Sequence, residues 1–554
     1  MSVEDRGAAA LDALTDKKPK KRGKLELVKD GSQSEDGKPA IYHDPGKLPE
    51  ILDQLGEALA TREPNLYVFT NRLVRIHQAE EKNAGGVHRP RGTLILPAVD
   101  ASHLTELATA AATHFRYDAR GESWKLIDCP RRVAEAFLAR SHWPQQRHLS
   151  GFIEAPTITA DGRLIERPGY DEKTGLYLPT QNLTGWKAPK ASPSMRDAQA
   201  AMDLLLAMFD SFPLVGPDDR AACVAGVISA LIRRSIPAAP MVAVTAPTPG
   251  TGKTLIAETF ALIATGRRAS VLSLGHDDAE AEKRIAGMLM AGTLMILLDN
   301  IERPLKGDLL CQVLTQMFVQ LRPLGASGLL QIPTNANLVA TGNNLAIVGD
   351  LKRRAMLIRM DAGMERPEQR VFEGDHLENV LARRAELIRA ALTIPLAYLA
   401  AGGRPVEGLY PLGGFEAWDR LVRRPLVWLG LSDPLKASES LRDQDPDLEA
   451  MRLMFSAWHE VFGLKAMTAA EVVAAGAEFK PVSQDYEHPE LRDALQLICA
   501  EKPNTRRLGH WLRNHRDRIA DGLQIKQAGT DGHAKVARWK VQAVGLSNQP
   551  AGIA

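Results

Sequence analysis

Residues 241–254 constrain the fold of this chain more than any other segment. The apolar run MVAVTA is followed by the turn PTPGTGKT and then by LIAETFALIATG, which has the composition of a helix. In such a segment the backbone N–H groups of a tight glycine turn point to one spot at the start of a helix, where the helix dipole favours negative charge. An apolar strand, a glycine turn and a helix in this order therefore predict a loop that binds phosphate groups.

The loop departs at one position from the usual G-x-x-x-x-G-K-[ST] pattern, because Pro247 stands where the first glycine is expected. Pro247 lies where the strand gives way to the loop, so its missing N–H group removes no phosphate contact. We expect Lys253 to contact the β- and γ-phosphates of ATP and Thr254 to hold Mg²⁺. The predicted nucleotide-binding residues are Gly250, Thr251, Gly252, Lys253, Thr254 and Leu255.

Two further apolar strands, TLMILL and NLVATG, follow within the segment 194–400, and helical stretches separate the three strands. This alternation predicts a parallel sheet that is covered by helices on both faces. Asp299 follows TLMILL, at the place of a second Mg²⁺ ligand. The strand NLVATG leads into Asn343 and Asn344, either of which could orient the attacking water, and Asn343 is favoured.

Two further positions bear on catalysis. Asn300 stands where a glutamate usually activates the attacking water, and Glu302 is the candidate for that role. Arg353 and Arg354 in the run GDLKRR are candidate arginine fingers, which stabilise transition-state charge from a neighbouring subunit. Fingers of this kind would require a homo-oligomer, and a solvated pair of arginines is the alternative interpretation.

Together PTPGTGKT, LLDN, ATGNN and GDLKRR resemble motifs of the AAA+ ATPases, and more narrowly of the replicative helicases of phages and mobile elements. That group is related to superfamily-three helicases, poxvirus-type primase-helicases and minichromosome maintenance helicases. The resemblance covers about 195–430. It implies a ring, usually a hexamer, that uses ATP and Mg²⁺ to move along single-stranded DNA. A DNA helicase of replication initiation is therefore predicted, with single-stranded and forked DNA, and a separate primase or other replication proteins, as partners.

A hairpin is predicted at 319–335, where VQLRPLGASGLLQIPTN contains two strands around a Gly-Ala-Ser-Gly tip. Its position matches the hairpin that lines the pore in such helicases and pushes on DNA. The tip carries Ala326 and Ser327 where the family often has a basic residue, so Arg322 at the base is the candidate DNA contact. A plain structural hairpin is the alternative.

The segment 501–540 is strongly basic, with ten Lys and Arg against four Asp and Glu. It predicts an amphipathic helix followed by two strands, which together would form a winged helix that contacts the DNA backbone and major groove. A protein-interaction module is the alternative. The residues expected to face inward are Leu508, Trp511, Leu512 and Ile519. The candidate DNA contacts are Arg506, Arg507, Arg513, Arg516, Arg518, Lys535 and Arg538.

The predicted fold class is α/β, with a P-loop NTPase core of the AAA+ type between two smaller domains. Residues 1–40 and 546–554 are expected to be disordered tails, the first of them charged. An α+β domain is predicted at 41–190. It lacks the acidic pair after a strand that would indicate primase chemistry, so we expect it to bind DNA or a protein partner. The remaining predicted domains are the ATPase core at 191–400, a helical lid extension and linker at 401–484, and the winged helix at 485–545.

Composition restricts the partners and the compartment. The 69 Lys and Arg nearly balance the 67 Asp and Glu, so any surface for nucleic acid must be local. The longest apolar runs are far shorter than the ~20 residues of a membrane helix. The N-terminus lacks the apolar core of a secretory signal, and the four cysteines form no C-x-x-C pair. These features predict a cytoplasmic protein without membrane contact.

The alternative to a helicase is another AAA+ ATPase, such as a protein remodeller, a transposition regulator or a defence ATPase. Remodellers typically carry an aromatic pore loop, and the sequence shows no such loop, whereas the hairpin pattern at 319–335 is present. This difference favours the helicase.

Overall fold

The computed structural model describes residues 37–84, 87–179, 183–275, 277–321, 330–370, 374–443, 446–480, 485–499, 502–532 and 535–544. They form two compact units, the first from residues 37–76 and 97–148, and the second from 77–96 and the described residues after 148. Most of the predicted N-terminal tail, the predicted tail at 546–554, and Arg322 lie outside the described residues.

The first unit packs three helices against two small sheets. The helices are Leu48–Arg62, Ala101–Ala111 and Arg131–Ala139. The strand order of one sheet is Ala40–Tyr42, Thr113–Asp118, Ser123–Ile127, and that of the other is Arg147–His148, Leu66–Phe69, Arg72–Arg75. Side chains from helices and strands, including Ile41, Leu55, Leu104 and Phe137, share one apolar core.

The second unit contains several short strand pairs ahead of its helices. His77–Gln78 pairs with Leu94–Ile95, and Thr157–Ile158 pairs with Leu164–Ile165. A three-stranded sheet has the order Gly151–Phe152, Leu176–Leu178, Gly169–Asp171.

A seven-stranded sheet forms the centre of the second unit. From edge to edge its strands are Ala355–Arg359, Met241–Ala246, Asn337–Asn343, Met295–Leu298, Ser270–Leu272, Val87–Arg89 and Lys82–Ala84. The first five are parallel, as the alternation of helices and strands predicted, and the last two strands join the sheet through antiparallel pairings.

Helices cover both faces of this sheet, which confirms the predicted layering. Along Met241–Ala246, Val242 and Val244 enter one apolar cluster, whereas Met241 and Ala243 enter another. Alternation between two buried faces explains why this strand is apolar at every position except Thr245. The first cluster includes residues of the helices Met195–Ala207, Pro217–Ile232, Lys253–Thr265, His376–Ala382 and Arg384–Ala400. The second includes residues of the helices Asp278–Met290 and Asp308–Thr315.

The remaining helical segments are short or follow the sheet in sequence. The 3₁₀ turns are Arg233–Ser235, Gly349–Arg354 and Pro367–Gln369, and Asp419–Arg423 is a π-helical turn. The α-helices are Glu416–Trp418, Arg424–Trp428, Lys436–Asp443 and Pro446–Phe462. In the part of the chain that the structure covers, every helix is too short or too polar to span a membrane.

The described chain ends in a small antiparallel sheet with three helices. The strand order is Met467–Thr468, Ala537–Ala543, Leu523–Thr530, Ile519–Ala520, and the helices are Ala469–Ala475, Pro489–Cys499 and Thr505–Asn514. Leu508 and Leu512 are fully buried, as predicted. The prediction that Ile519 faces inward is wrong, because the helix ends at Asn514 and Ile519 takes an outward position on the edge strand, next to the buried Ala520.

Candidate nucleotide-binding and catalytic site

The predicted phosphate loop joins the strand Met241–Ala246 to the helix Lys253–Thr265. Gly250 and Gly252 have φ angles of +75° and +99°, which glycine adopts without a steric penalty. A Cβ atom at Gly252 would also lie 3.4 Å from the ring of Phe212. The first N–H groups of a helix have no partner inside it, so this tight turn presents donors to an anion.

The Lys253 ammonium is held inside the loop by neutral oxygens. Its Nζ donates to the carbonyl of Thr248 at 3.0 Å and to Oγ1 of Thr251 at 3.2 Å. Burial lowers the pKa of Lys253, and the charge of Asp299 opposes this change. Phosphate oxygens, being anionic, would be stronger acceptors for the ammonium than the neutral oxygens that hold it here.

Asp299 lies beside the start of the same helix, although 45 residues separate it from Thr254. Thr254 Oγ1 donates to Asp299 Oδ1 at 3.2 Å. The carboxyl ends of parallel strands meet at one edge of the sheet, and Asp299 directly follows the strand Met295–Leu298 there. A hydroxyl and a carboxylate at this separation suit Mg²⁺, which takes oxygen ligands and is commonly bound together with substrate phosphates.

Thr341 is a residue of this site that the sequence analysis missed. It is buried in the strand Asn337–Asn343, and its Oγ1 donates to Asp299 Oδ1 at 2.5 Å. The same hydroxyl accepts the backbone N–H of Asn300 at 3.2 Å. Thr341 therefore positions both the carboxylate and the chain that follows it. The sequence shows only a threonine inside this strand, which does not by itself indicate such a role.

The two asparagines that follow the strands serve their backbone turns. Asn300 and Asn344 have φ angles of +52° and +45°, a region that asparagine tolerates better than most residues. The backbone N–H of Asn344 donates to the carbonyl of Ala246 at 2.9 Å. Asn343 is exposed and lies opposite Ala246 in the sheet register. The turn at Asn300 gives a physical reason for an asparagine, in place of a glutamate, directly after Asp299.

Glu302 is exposed near the same edge. Its Oε1 accepts a hydrogen bond from Asn300 Nδ2 at 3.1 Å. Asn300 thus holds the predicted base next to the turn that directly follows Asp299, the predicted Mg²⁺ ligand.

The two candidate finger arginines have different surroundings in the turn Gly349–Arg354. The Arg354 side chain is 15% exposed and donates to the carbonyl of Cys311 at 2.7 Å and to Oγ1 of Thr315. Arg353 is 64% exposed and pairs with Asp350. The hydrogen bond from Arg353 lowers the pKa of the Asp350 carboxyl. Arg354 is therefore bound within its own chain, and Arg353 is the arginine that faces solvent.

The strands Phe318–Leu321 and Leu330–Pro333 pair antiparallel, which agrees with the predicted hairpin. Its base is anchored by Arg233, which is almost fully buried and donates to the carbonyls of Thr334 and Val313. The tip, residues 322–329 with Arg322, lies outside the described residues.

The candidate DNA-binding cations at the C-terminal end differ in their contacts. Exposed ones are Arg506, Arg507, Arg513, Arg516, Arg518 and Lys535. Arg507 also donates to the carbonyl of Cys499 at 2.6 Å. Arg538 is half-buried, and its guanidinium pairs with Asp531 at 2.7 Å and Glu471 at 3.5 Å. Arg538 is therefore engaged with carboxylates of its own chain.

No protein-family model and no curated protein sequence matches the chain. Similar solved structures include the apo A form of the NrS-1 C-terminal region, at a TM-score of 0.36 and 11% identity over 81% of this chain and 100% of that one. The SCCmec type IV Cch active helicase has a TM-score of 0.32 and 12% identity over 87% and 97%. The JCV helicase has a TM-score of 0.20 and 13% identity over 45% and 73%. At these TM-scores the likenesses assign no function to this chain.

Proposed function

We propose that the chain is an ATP-dependent DNA helicase of the phage or mobile-element replicative type. The observation that carries the proposal is the meeting of Lys253, Thr254 and Asp299 at one edge of a parallel sheet. An ammonium inside a glycine loop, with a hydroxyl and a carboxylate beside it, is suited to binding a nucleoside triphosphate together with Mg²⁺. Asp299 itself is held in place by Thr341.

Each residue has a distinct role in the proposed reaction. ATP with Mg²⁺ would supply the phosphoryl bond that is hydrolysed. Lys253 would bind the β- and γ-phosphates together with N–H groups of the residues from Gly250 to Leu255, and Thr254 and Asp299 would hold the metal. Asn343 orients the attacking water, and Glu302 accepts its proton. Arg353, delivered by a neighbouring subunit of a homo-oligomeric ring, stabilises charge in the transition state.

The helicase activity is supported by features outside the nucleotide site. The hairpin formed by Phe318–Leu321 and Leu330–Pro333 directly precedes the strand that ends in Asn343. Its base is held by buried Arg233, which suits an element that must push on DNA. The helix Thr505–Asn514 and the short segment directly after it present exposed arginines, as a DNA-binding winged helix would.

A second candidate is an AAA+ ATPase that acts on a protein, with the C-terminal segment as its DNA-binding part. The exposed Phe318 and Met317 at the hairpin base favour this alternative, because apolar residues grip unfolded protein chains better than nucleic acid phosphates. In that case ATP hydrolysis would be independent of DNA.

The test is ATP-dependent unwinding of a forked DNA duplex by the full chain. Lys253→Ala removes the phosphate-binding ammonium and is expected to abolish both hydrolysis and unwinding. Lys283→Ala, at an exposed lysine on the helix Asp278–Met290, is the matched control and is expected to retain both. A different result would reject the helicase in favour of the second candidate. In that result the parent chain hydrolyses ATP and Lys253→Ala does not, but single-stranded DNA does not affect hydrolysis and no duplex is unwound.

A further inference from the structure

The first unit contains a three-stranded sheet with one buried and one exposed face. The sheet is formed by Ala40–Tyr42, Thr113–Asp118 and Ser123–Ile127. Ile41 lies opposite His114 in the register, and both are almost fully buried in the core of the unit. Alternate residues of a strand point to opposite faces, so the neighbours of Ile41 and His114 lie on the side away from this core.

We name this second side the aromatic face, and define it by Tyr42, Phe115, Tyr117, Trp124 and Leu126. The register places Tyr42 beside Phe115, Phe115 opposite Leu126, and Tyr117 opposite Trp124. Tyr42 is 38% exposed, Tyr117 44% and Leu126 69%. Four of the five side chains are therefore rings on a surface that water reaches, which is costly unless something covers it.

The rings support one another in a fixed arrangement. Trp124 meets Tyr42 edge-on, with 4.8 Å between ring centroids, and meets Tyr117 edge-on at 5.5 Å. Such contacts are favourable and orient the rings. Tyr42 also stacks on Phe115, with 5.3 Å between the ring centroids, so the exposed parts of Tyr42 and Tyr117 are what a stacking partner would reach.

The same hairpin carries exposed positive charge on the side opposite the aromatic face, the side of His114. Arg116 lies directly opposite Lys125 on the two strands, and both are exposed. Like charges placed opposite each other destabilise a strand pair. Asp118 pairs with Lys125 at 2.5 Å, whereas Arg116 forms no salt bridge with any residue that the structure describes. Asp118 offsets part of the repulsion, since the hydrogen bond from Lys125 and the charge of Arg116 both lower the pKa of its carboxyl. A further anionic group beside the end of this hairpin would offset more of it.

We propose that the aromatic face binds single-stranded DNA. Its bases would stack on Tyr42, Tyr117 and Trp124, and its phosphates would lie near Arg116 and Lys125 around the edge of the sheet. Exposed rings with cations nearby are the combination by which proteins hold single strands without sequence preference. The cations on this hairpin favour an anionic strand over an uncharged protein surface. The inference rests on the proposed helicase, because it assigns to the first unit the strand on which such an enzyme moves.

Photochemical cross-linking of the full chain to oligo(dT) that carries 5-iodouracil tests the proposal directly. Without nucleotide, we expect adducts on Tyr42, Tyr117 or Trp124 when the cross-linked peptides are identified by mass spectrometry. Adducts confined to the second unit, or no adducts at all, would overturn the proposal.

Affinity for unmodified oligo(dT), measured by fluorescence anisotropy, gives a second readout. Removing one stacking ring in Tyr117→Ala is expected to weaken binding at least about fivefold. Tyr117→Phe, which keeps the ring, should bind like the parent chain. Tyr410→Ala, at an exposed tyrosine of the second unit, is the matched control and should also bind normally. Equal binding by Tyr117→Ala and the parent chain would count against the proposal.

Other occupants of the aromatic face give different results. If a second copy of the chain covers it, Tyr117→Ala would reduce self-association and leave DNA affinity unchanged, which overturns the proposal. The result is also separable from the helicase itself. Unwinding without adducts on the first unit rejects only this inference, whereas such adducts without unwinding support it and reject the helicase.

Discussion

The buried hydroxyl of Thr341 offers the sharpest test of how the nucleotide site is built. Thr341→Val keeps the branched shape of the side chain and removes the hydroxyl that connects Asp299 to Asn300. Asp299 Oδ1 then retains only its longer bond to Thr254, at 3.2 Å. In the proposed reaction Thr254 turns to the metal, so the carboxylate would lose the donor that orients it.

The expected size of the effect follows from the bond that is lost. Thr341 Oγ1 lies 2.5 Å from the carboxylate oxygen, the length of a strong bond to a charged acceptor. Such bonds contribute about 1.5–3 kcal/mol. A factor of ten in rate corresponds to about 1.4 kcal/mol, so kcat for ATP hydrolysis should fall about 10- to 100-fold. The apparent affinity for Mg²⁺ should weaken as well.

The assay is steady-state phosphate release at saturating ATP with Mg²⁺ varied, with thermal unfolding measured in parallel. Thr341→Ser keeps the hydroxyl and is expected to remain within a few-fold of the parent chain. If Thr341→Val has the parental kcat and Mg²⁺ dependence, Thr341 does not position Asp299. If Thr341→Ser is as slow as Thr341→Val, the methyl group rather than the hydroxyl is what matters.

Three further predictions concern separate parts of the structure. Arg354→Ala should lower the free energy of unfolding by about 1–3 kcal/mol because it removes buried hydrogen bonds. Arg353→Ala should melt at the parental temperature but lose ATPase activity, and mixing it with Lys253→Ala subunits should restore that activity. If mixing restores no activity, Arg353 does not act as a finger in trans. A Cβ at Gly342 would lie 2.6 Å from the carbonyl oxygen of Ile301, so Gly342→Ala should cost about 1–3 kcal/mol in thermal unfolding, and an unchanged melting temperature would contradict this. Burial, with neighbouring positive charge, lowers the pKa of His43 to about 4. As pH falls, the unfolded chain is protonated at this residue before the folded one, so the free energy of unfolding of the first unit should fall by up to about 3 kcal/mol between pH 6.5 and 4. Hydrogen exchange should show the loss. His43→Phe should reduce it, and the remainder comes from His114, whose pKa burial also lowers.

What could be predicted from the sequence depends on how far apart interacting residues lie in the chain. Lys253 is hydrogen-bonded to Thr248 and Thr251, within five residues, so the phosphate loop can be recognised from its local sequence alone. Thr341 acts on Asp299 from 42 residues away, and a threonine in a strand has no local mark of that role.

The edge of the central sheet shows the same limit. The strand Val87–Arg89 pairs with Ser270–Leu272, about 180 residues later in the chain. Short strands near the N-terminus predicted an α+β segment, but the pairing of one of them with a strand so far away in sequence depends on tertiary contacts. The turn at Asn300 is similar. The sequence shows that the usual glutamate is absent, and the positive φ angle of Asn300 explains why an asparagine stands there.

The segments that follow Asp299 and Asn343 are joined to each other, and this bears on how a ring could work. The Leu305 N–H donates to the carbonyl of Ala346 at 2.8 Å, and the Leu305 carbonyl accepts the N–H of Val348 at 3.1 Å. Val348 directly precedes the turn Gly349–Arg354 that carries Arg353. The predicted metal ligand and the predicted finger are thus connected within one chain through a short hydrogen-bonded segment. In a ring whose fingers act in trans, this connection would couple the nucleotide bound at Asp299 of one subunit to the position of the same subunit's Arg353. That arginine in turn would complete the nucleotide site of the neighbouring subunit.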